Sequence, residues 1–374
     1  MRITQNADTR ITMKIKWIRL AVISVLITVL VVSITGGLYM ILDDKIEGTI
    51  INEYSGRQKK PKIAICADGK YYTLDNTYGS PVYYFFEGHL PDSREYLFET
   101  EGGEIVDIAA EGKWLVWGTA RFSKERYIEY NAYNSEERAA HTFRIVDTEN
   151  VKQYPFVALS HGKAFFAECV YPEKQIVIWQ HDLESGQEKE IYRFDSYEQY
   201  KPLLETAGDC LYTPVAMTDG RVNLAEYNIV TGEDRIILLP GQVDVLFSLD
   251  YDADSENFVL YYRDESKHYE TISLYKEETG HLKQIGRINA KQRMERDKLL
   301  FWNGNVVWVE YNDTWYVASE IDCKRYMRVY NMKKGRTYTL DQDRVVEFFF
   351  DDNALYGISL DENNTHLLNL VKTK

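Results

Sequence analysis

Asp68-Gly69-Lys70-Tyr71, Glu111-Gly112-Lys113-Trp114, His161-Gly162-Lys163-Ala164 and Ala207-Gly208-Asp209-Cys210 repeat one short pattern, a polar turn around glycine that runs straight into an apolar strand. Weaker copies follow at Ser255-Glu256-Asn257-Phe258, Asn303-Gly304-Asn305-Val306 and Asp351-Asp352-Asn353-Ala354. The turn positions 69, 112, 162, 208, 256, 304 and 352 are separated by 43, 50, 46, 48, 48 and 48 residues. Such a period marks a repeat architecture, in which each unit leans on its neighbours.

A second turn recurs later in each unit. It reads Val146-Asp147-Thr148-Glu149-Asn150, His181-Asp182-Leu183-Glu184-Ser185-Gly186, Tyr227-Asn228-Ile229-Val230-Thr231-Gly232, Tyr275-Lys276-Glu277-Glu278-Thr279-Gly280 and Tyr330-Asn331-Met332-Lys333-Lys334-Gly335. An Asp or Asn opens such a turn by binding nearby backbone, and Gly closes it in the left-handed conformation. Two turns of this kind divide each unit into four short antiparallel strands, a to d. The b strands, Trp114-Leu115-Val116-Trp117, Ala164-Phe165-Phe166-Ala167, Phe258-Val259-Leu260-Tyr261 and Val306-Val307-Trp308-Val309, are apolar at every position. Alternation would leave one face wet, whereas continuous apolarity requires both faces covered. Radial stacking of four-stranded sheets meets that requirement, so the expected fold is an all-β propeller over residues 62–374. Seven blades are expected, and copies this degenerate leave six or eight open.

The seventh unit shows strands a, b and c at Val345 to Phe350, Ala354 to Leu360 and His366 to Leu370, but no strand d. A ring left open there exposes an unpaired edge. The short β-like stretch Gly48 to Asn52, within the polar connector 43–61, is the expected closing strand.

Ahead of the connector, Leu20 to Leu42 is uncharged and rich in Val, Ile and Leu. It is long enough to span a bilayer core of about 30 Å as a helix. It also exceeds the apolar core of a signal peptide, roughly 7–15 residues, although Ser33, Thr35 and Gly37 leave cleavage open. The tail 1–19 carries Arg2, Arg10, Lys14, Lys16 and Arg19 against Asp8, and Asp43 and Asp44 follow the run. That asymmetry predicts a cytoplasmic N-terminus, a single-pass plasma-membrane anchor and an extracytoplasmic C-terminal domain. With Lys+Arg 44 and Asp+Glu 58, the chain has a net charge of −14, which argues against nucleic acid as a partner. Cys66, Cys169, Cys210 and Cys323 lie far apart, with no CxxC, and read as buried thiols rather than a disulfide framework.

Long connections are expected at Arg121 to His141, Asp195 to Pro202, Arg263 to Tyr269, Gly286 to Lys298 and Tyr311 to Lys324, all on the face opposite the tight turns. Loops on a rigid scaffold are the default place for binding. On this face Tyr127, Tyr130, Tyr133, Trp315 and Tyr316 are candidate stacking platforms for a sugar or a peptide, and the alternative is that they cap the loops' own small cores. Lys291, Arg293, Arg296 and Lys298 form a basic concentration able to dock an acidic partner, or simply a solvated charge run. Asp250, Asp252, Asp254 and Glu256 resemble the start of a calcium loop, but Ser255 and Tyr261 stand where Gly and a bidentate Glu belong, so no metal is assigned. No HExxH, GxSxG, P-loop or dinucleotide fingerprint occurs, and no catalytic residue or cofactor is assigned. Paired carboxylates are invisible to spacing in so acidic a chain.

The Asp/Glu-Gly-Lys-apolar and Tyr-Asn-x-x-Thr-Gly turns resemble those of the TolB-like and quinoprotein-like propeller superfamily. That resemblance implies the fold and no residue roles. The expected function is a membrane-tethered binding or scaffolding module for a protein or cell-envelope ligand. The alternatives are an enzyme acting on polysaccharide or peptide through acids at the channel mouth, and a structural envelope spacer.

Overall fold

The computed structural model describes residues 49–55, 62–65, 70–75, 82–89, 94–122, 126–147, 155–170, 175–195, 203–216, 221–289, 292–312, 325–340, 345–350, 354–360 and 364–372. All belong to one compact unit, Ile46–Lys374. The apolar run 20–42 lies outside them. Among the described residues no helix is long and apolar enough to cross a membrane.

The strands form seven four-stranded antiparallel sheets. Six follow chain order. Sheet 1 is Lys62–Ile65, Lys70–Asp75, Val82–His89 and Arg94–Glu101. Sheet 2 is Glu104–Glu111, Trp114–Phe122, Arg126–Asn134 and Ala139–Asp147. Sheet 3 is Val157–Ser160, Lys163–Val170, Gln175–Asp182 and Glu188–Asp195. Sheet 4 is Glu205–Ala207, Cys210–Ala216, Val222–Asn228 and Asp234–Ile237. Sheet 5 is Val245–Asp252, Asn257–Arg263, Tyr269–Lys276 and His281–Asn289. Sheet 6 is Gln292–Trp302, Asn305–Asn312, Arg325–Asn331 and Arg336–Leu340. Sheet 7 takes Val345–Phe350, Ala354–Leu360 and Asn364–Lys372, and its fourth strand is Thr49–Ser55. That strand pairs with the third from Thr49↔Asn369 to Ser55↔Asn364.

The first strand of each sheet contacts the first strand of the next, and the first strand of sheet 7 contacts that of sheet 1, so the seven close a cycle. The cores lie between sheets. Trp114 and Val116 pack with Ala164 and Phe166 of sheet 3, whereas Leu115 and Trp117 pack with Tyr72 and Phe85 of sheet 1. Successive side chains of one strand thus enter two different cores, which is why the b strands are apolar throughout. The same straddling recurs with Phe165 and Leu211 across sheets 3 and 4, Leu224 and Phe258 across 4 and 5, Tyr261 and Trp308 across 5 and 6, and Val307 and Leu355 across 6 and 7.

In sheets 2, 3, 4 and 6 the two recurrent turns meet at one end. The c–d turn donates to the a–b turn through Leu183 N–H to the Gly162 carbonyl, Ile229 N–H to that of Asp209 and Met332 N–H to that of Gly304. Asn228 Oδ1 accepts the Val230 and Thr231 N–H groups at 3.0 and 2.8 Å, and Gly232, at φ 76°, closes the turn. The lysine of the glycine-lysine pattern reaches the c–d turn of the following sheet. Lys70 Nζ donates to Ser135 Oγ at 3.1 Å, Lys113 pairs with Glu184 at 2.7 Å and Lys163 donates to the Ile229 carbonyl at 3.0 Å.

Two expected insertions are absent. Arg121 to His141 holds the third strand of sheet 2 and the start of its fourth, and Gly286 to Lys298 holds the end of one strand and the start of the next. Correspondingly, the c–d turn of sheet 2 follows Asn134, whose Oδ1 accepts the Glu136 and Glu137 N–H groups; Val146-Asp147 ends a strand instead of opening a turn. Polar residues hid the strand character of these segments, because the fourth strands of sheets 2 and 5 are largely exposed.

Deleting residues 49–55 leaves the outer edge of the third strand of sheet 7 unpaired. The thermal unfolding midpoint of the full-length chain is expected to fall by roughly 5 °C or more, about 2 kcal/mol, with increased aggregation, as read by differential scanning fluorimetry and light scattering.

Candidate functional site

In sheets 2 to 6, among the described residues, one end is occupied by hydrogen-bonded turns. The opposite end carries the b–c loops and the sheet-to-sheet connections, and in sheet 5 its geometry is well defined. The b–c loop 264–268 is held by two aspartates. Asp264 is 5% exposed; its Oδ1 accepts the Ser266 N–H at 3.0 Å and its Oδ2 pairs with Lys267 at 2.9 Å. Asp244 Oδ2 accepts the Glu265 N–H at 2.7 Å. Burial works to raise the Asp264 carboxyl, but the bonds from Ser266 and Lys267 outweigh it and hold the group below the usual carboxylate range.

This loop and the end of the fourth strand enclose a half-open cavity of about 180 Å³, lined by Arg263, Lys267, His268, Tyr269, Glu270 and the Ile288–Asn289 pair. Arg263 pairs with Glu270 at 2.9 Å, and Glu270 also accepts the Tyr261 hydroxyl. The Arg287 guanidinium lies 3.8 Å from the centre of the Tyr269 ring, a cation–π contact that fixes both.

A second group of side chains sits on the first strands, which line the middle of the cycle. Asp107 Oδ2 accepts the Val157 N–H of sheet 3 at 3.2 Å, Asp250 Oδ2 accepts the Phe301 N–H of sheet 6 at 2.6 Å, and Lys298 Nζ donates to the Phe348 carbonyl of sheet 7 at 2.9 Å. Each binds the first strand of the following sheet, so these are seams between sheets as well as charges. Desolvation raises the Asp250 carboxyl to about 7 against the pull of its backbone donors. Glu205, on the first strand of sheet 4, is raised well above its ordinary value by desolvation and by the carboxylates of Asp250 and Asp107, with Lys298 opposing. Sequence reasoning missed Glu205 because nothing in its spacing distinguishes it, and it weighed Asp250 only as the start of a calcium-loop-like stretch.

The sequence-predicted residues fare differently. Tyr127, Tyr130 and Tyr133 stand on the third strand of sheet 2, not on an insertion. Tyr130 is 0% exposed, packs against Phe166 and donates its hydroxyl to the Ala167 carbonyl at 2.7 Å. Tyr133 is 4% exposed and packs against Phe98 of sheet 1. Both are core residues, since the two faces of a sandwiched sheet are equally dry. Tyr127 is half-buried beneath the Arg121 guanidinium. Arg293 and Arg296 lie on the first strand of sheet 6, where the register with the second strand shifts between Met294 and Leu299. Trp315 and Tyr316 lie outside the described residues. Cys169 and Cys210 are in no disulfide and are half-buried rather than buried, and desolvation pushes the Cys169 thiol up to about 11. The acids Asp250 and Asp252 bind backbone and Ser255 respectively.

With this geometry in place, solved structures supply the comparison. An oligogalacturonate lyase from Vibrio parahaemolyticus superimposes with a TM-score of 0.58 at 12% identity, over 88% of this chain and 95% of that one. The fold is a β-propeller. A chain from an analysis of two prolyl endopeptidases aligns at a TM-score of 0.55 and 10% identity, over 87% of this chain and 51% of that one. TolB from Acinetobacter baumannii aligns more loosely, at a TM-score of 0.47 and 11% identity, over 74% of this chain and 65% of that one. No family model matches the chain, and no curated protein matches its sequence. At these identities the propeller is shared and the chemistry is not transferred.

Because Glu205 and Asp250 resist ionisation in the folded state, the folded chain binds more protons than the unfolded one. Their penalty is absent below about pH 4, the unfolded carboxylate value, and grows as pH rises toward and through the folded pKa, about 7 for Asp250. Glu205→Gln removes one charge from this group. It is expected to raise the unfolding midpoint by about 3 °C or more at pH 8 and leave it unchanged at pH 4.

Proposed function

We propose that the chain is a membrane-tethered binding module, with a seven-bladed propeller outside the cytoplasm that engages its ligand through the end bearing the b–c loops. The observation that supports this most directly is the asymmetry of the two ends. One is consumed by turn-to-turn hydrogen bonds. The other presents the cavity beside Tyr269, whose loop is fixed in advance by buried Asp264. A loop ordered before binding loses less freedom on contact. The tether is the uncharged run 20–42 with its basic N-terminal flank.

A second role, an enzyme with its acid in the channel, draws on Glu205. A carboxyl that resists ionisation beside a second carboxyl is suited to general acid catalysis. The two carboxylates that raise it, Asp107 and Asp250, are already engaged with backbone N–H groups at 3.2 and 2.6 Å, and that favours binding over turnover.

Protease added to intact cells is expected to degrade epitopes after residue 43 and to spare the tail 1–19. The full-length chain in nanodiscs, applied to arrays of glycans and peptides, is expected to show saturable retention. Replacing residues 264–268 with a Gly/Ser stretch should abolish that retention while moving the melting midpoint by less than about 2 °C, whereas Glu205→Gln should leave it intact. Loss of a turnover activity in Glu205→Gln with binding retained would support the enzyme instead.

A further inference from the structure

We infer that the outer edge of sheet 4 docks one extended segment of a partner protein, added to the sheet as a fifth strand and carrying a basic and two apolar side chains at alternate positions. This rim surface is distinct from the loop-bearing end and independent of it.

Large apolar side chains exposed among the described residues are Tyr96, Ile145, Val230, Ile236 and Leu238. Tyr96 and Ile145 stand alone on sheets 1 and 2, whereas the other three belong to one stretch of sheet 4. Single exposed hydrophobes need no explanation, but a group of them marks a surface that associates. Ile236 is 40% and Leu238 69% exposed, while Ile237 and Leu239 are buried in the core shared with sheet 5. Strand alternation therefore puts Asp234, Ile236 and Leu238 together on the opposite face. That stretch is held in place. Leu239 N–H donates to Asn223 Oδ1 at 2.9 Å, and the Leu238 carbonyl accepts the Tyr275 hydroxyl at 2.9 Å. The fold thus fixes two aliphatic side chains in water instead of burying them.

The edge is also unguarded. Asp234–Ile237 is the outermost strand of its sheet, paired inward with Leu224 to Tyr227, and no described strand pairs with its other side. An edge strand points unpaired N–H and C=O groups outward, and proteins commonly discourage pairing there with charged side chains. The outer strands of sheets 3 and 5 carry such charges, with Glu188, Lys189, Glu190 and Arg193 in one and Lys283 and Arg287 in the other. From residue 235 to 239 sheet 4 has one charge, Arg235, and Glu226 and Glu277 hold it at 2.8 and 2.5 Å.

Charge selects the occupant. Glu233 and Asp234 precede the apolar pair and meet no cation among the described residues; Glu233 accepts only the Thr231 hydroxyl, at 3.4 Å. Asp234 shares its face with Ile236 and Leu238, so the matching strand sets Lys or Arg beside the acid and apolar side chains beside the aliphatic pair. A second copy of this chain brings the same acids and its own net charge of −14, which disfavours pairing edge to edge.

Fluorescence anisotropy on the full-length chain in phosphatidylcholine nanodiscs tests this with labelled eight-residue peptides that place lysine, isoleucine and valine at alternate positions, in both orders. Two controls are the same peptides with glutamate for lysine, and with each alternate set of backbone nitrogens methylated in turn. The expected result is saturable binding of a lysine peptide, abolished by one methylated set and tolerated with the other, because only one edge of the peptide pairs. Ile236→Ser and Leu238→Ser should each weaken it about tenfold, and Asp234→Asn about threefold, with the melting midpoint moved by less than about 2 °C. Tolerance of both methylated sets overturns strand addition. Equal binding of the glutamate peptide overturns the choice of a basic partner. Absence of binding, or binding indifferent to the three substitutions, overturns the site. Dimerisation in sedimentation velocity that Ile236→Ser abolishes assigns the edge to a second copy and overturns the proposal too. The loop-dependent retention on arrays tests the other end separately.

Discussion

Every sheet in this protein has two apolar faces and can dry both only by lying between two others. That constraint generates the rest of the structure. It excludes an end to the stack, because a terminal sheet would leave one face in water, and the cheapest way to have no end is to close the stack on itself. The cores are accordingly shared between successive sheets, as with Val116 and Phe166 on one side of a strand and Trp117 and Phe85 on the other. The tyrosines serve the same arrangement. Tyr130 and Tyr275, buried, and Tyr192, half-buried, pack between sheets and donate their hydroxyls to backbone carbonyls of the neighbouring unit at 2.7, 2.9 and 2.8 Å.

Closure also divides the surface into two ends of different character. The glycine-lysine turns are the bracing of one end, and their lysines explain why the pattern repeats: Lys70, Lys113 and Lys163 each reach a turn of the following sheet. The other end is free of that bracing and holds the loop around Asp264. In the middle, Asp107, Asp250 and Lys298 bind first strand to first strand, so residues that resemble a reactive cluster are also structural.

Much of the architecture was legible in the sequence because the repeat writes its turns in a small vocabulary. Gly112, Gly162 and Gly208 all fall at left-handed φ, and Asp182, Asn228 and Asn331 all accept the backbone donors that open the second turn. The reading failed where a strand is not apolar. Ala139–Asp147 includes His141, Thr142 and Arg144 and faces solvent over much of its length, so it looked like part of an insertion and carried Tyr127, Tyr130 and Tyr133 with it. The candidate site was less legible still. Arg263 to Tyr269 was recognisable as a loop, but the Arg287 contact with Tyr269 joins residues from separate strands, and only the fold brings them together. Glu205 acquires its character from desolvation and then from acids on two other sheets, at separations that no local pattern encodes.

The pairing of Thr49–Ser55 with Asn364–Lys372 has a consequence for the order of assembly. The segment synthesised before any repeat docks only after the last repeat has left the ribosome. Until then the nascent wheel has no keystone, and its stack has two uncovered sides. Contacts that join such distant parts of a chain form slowly, because a long loop must close before they yield any stabilisation. The folding intermediate to protect is therefore one with all its spokes present and its rim still open.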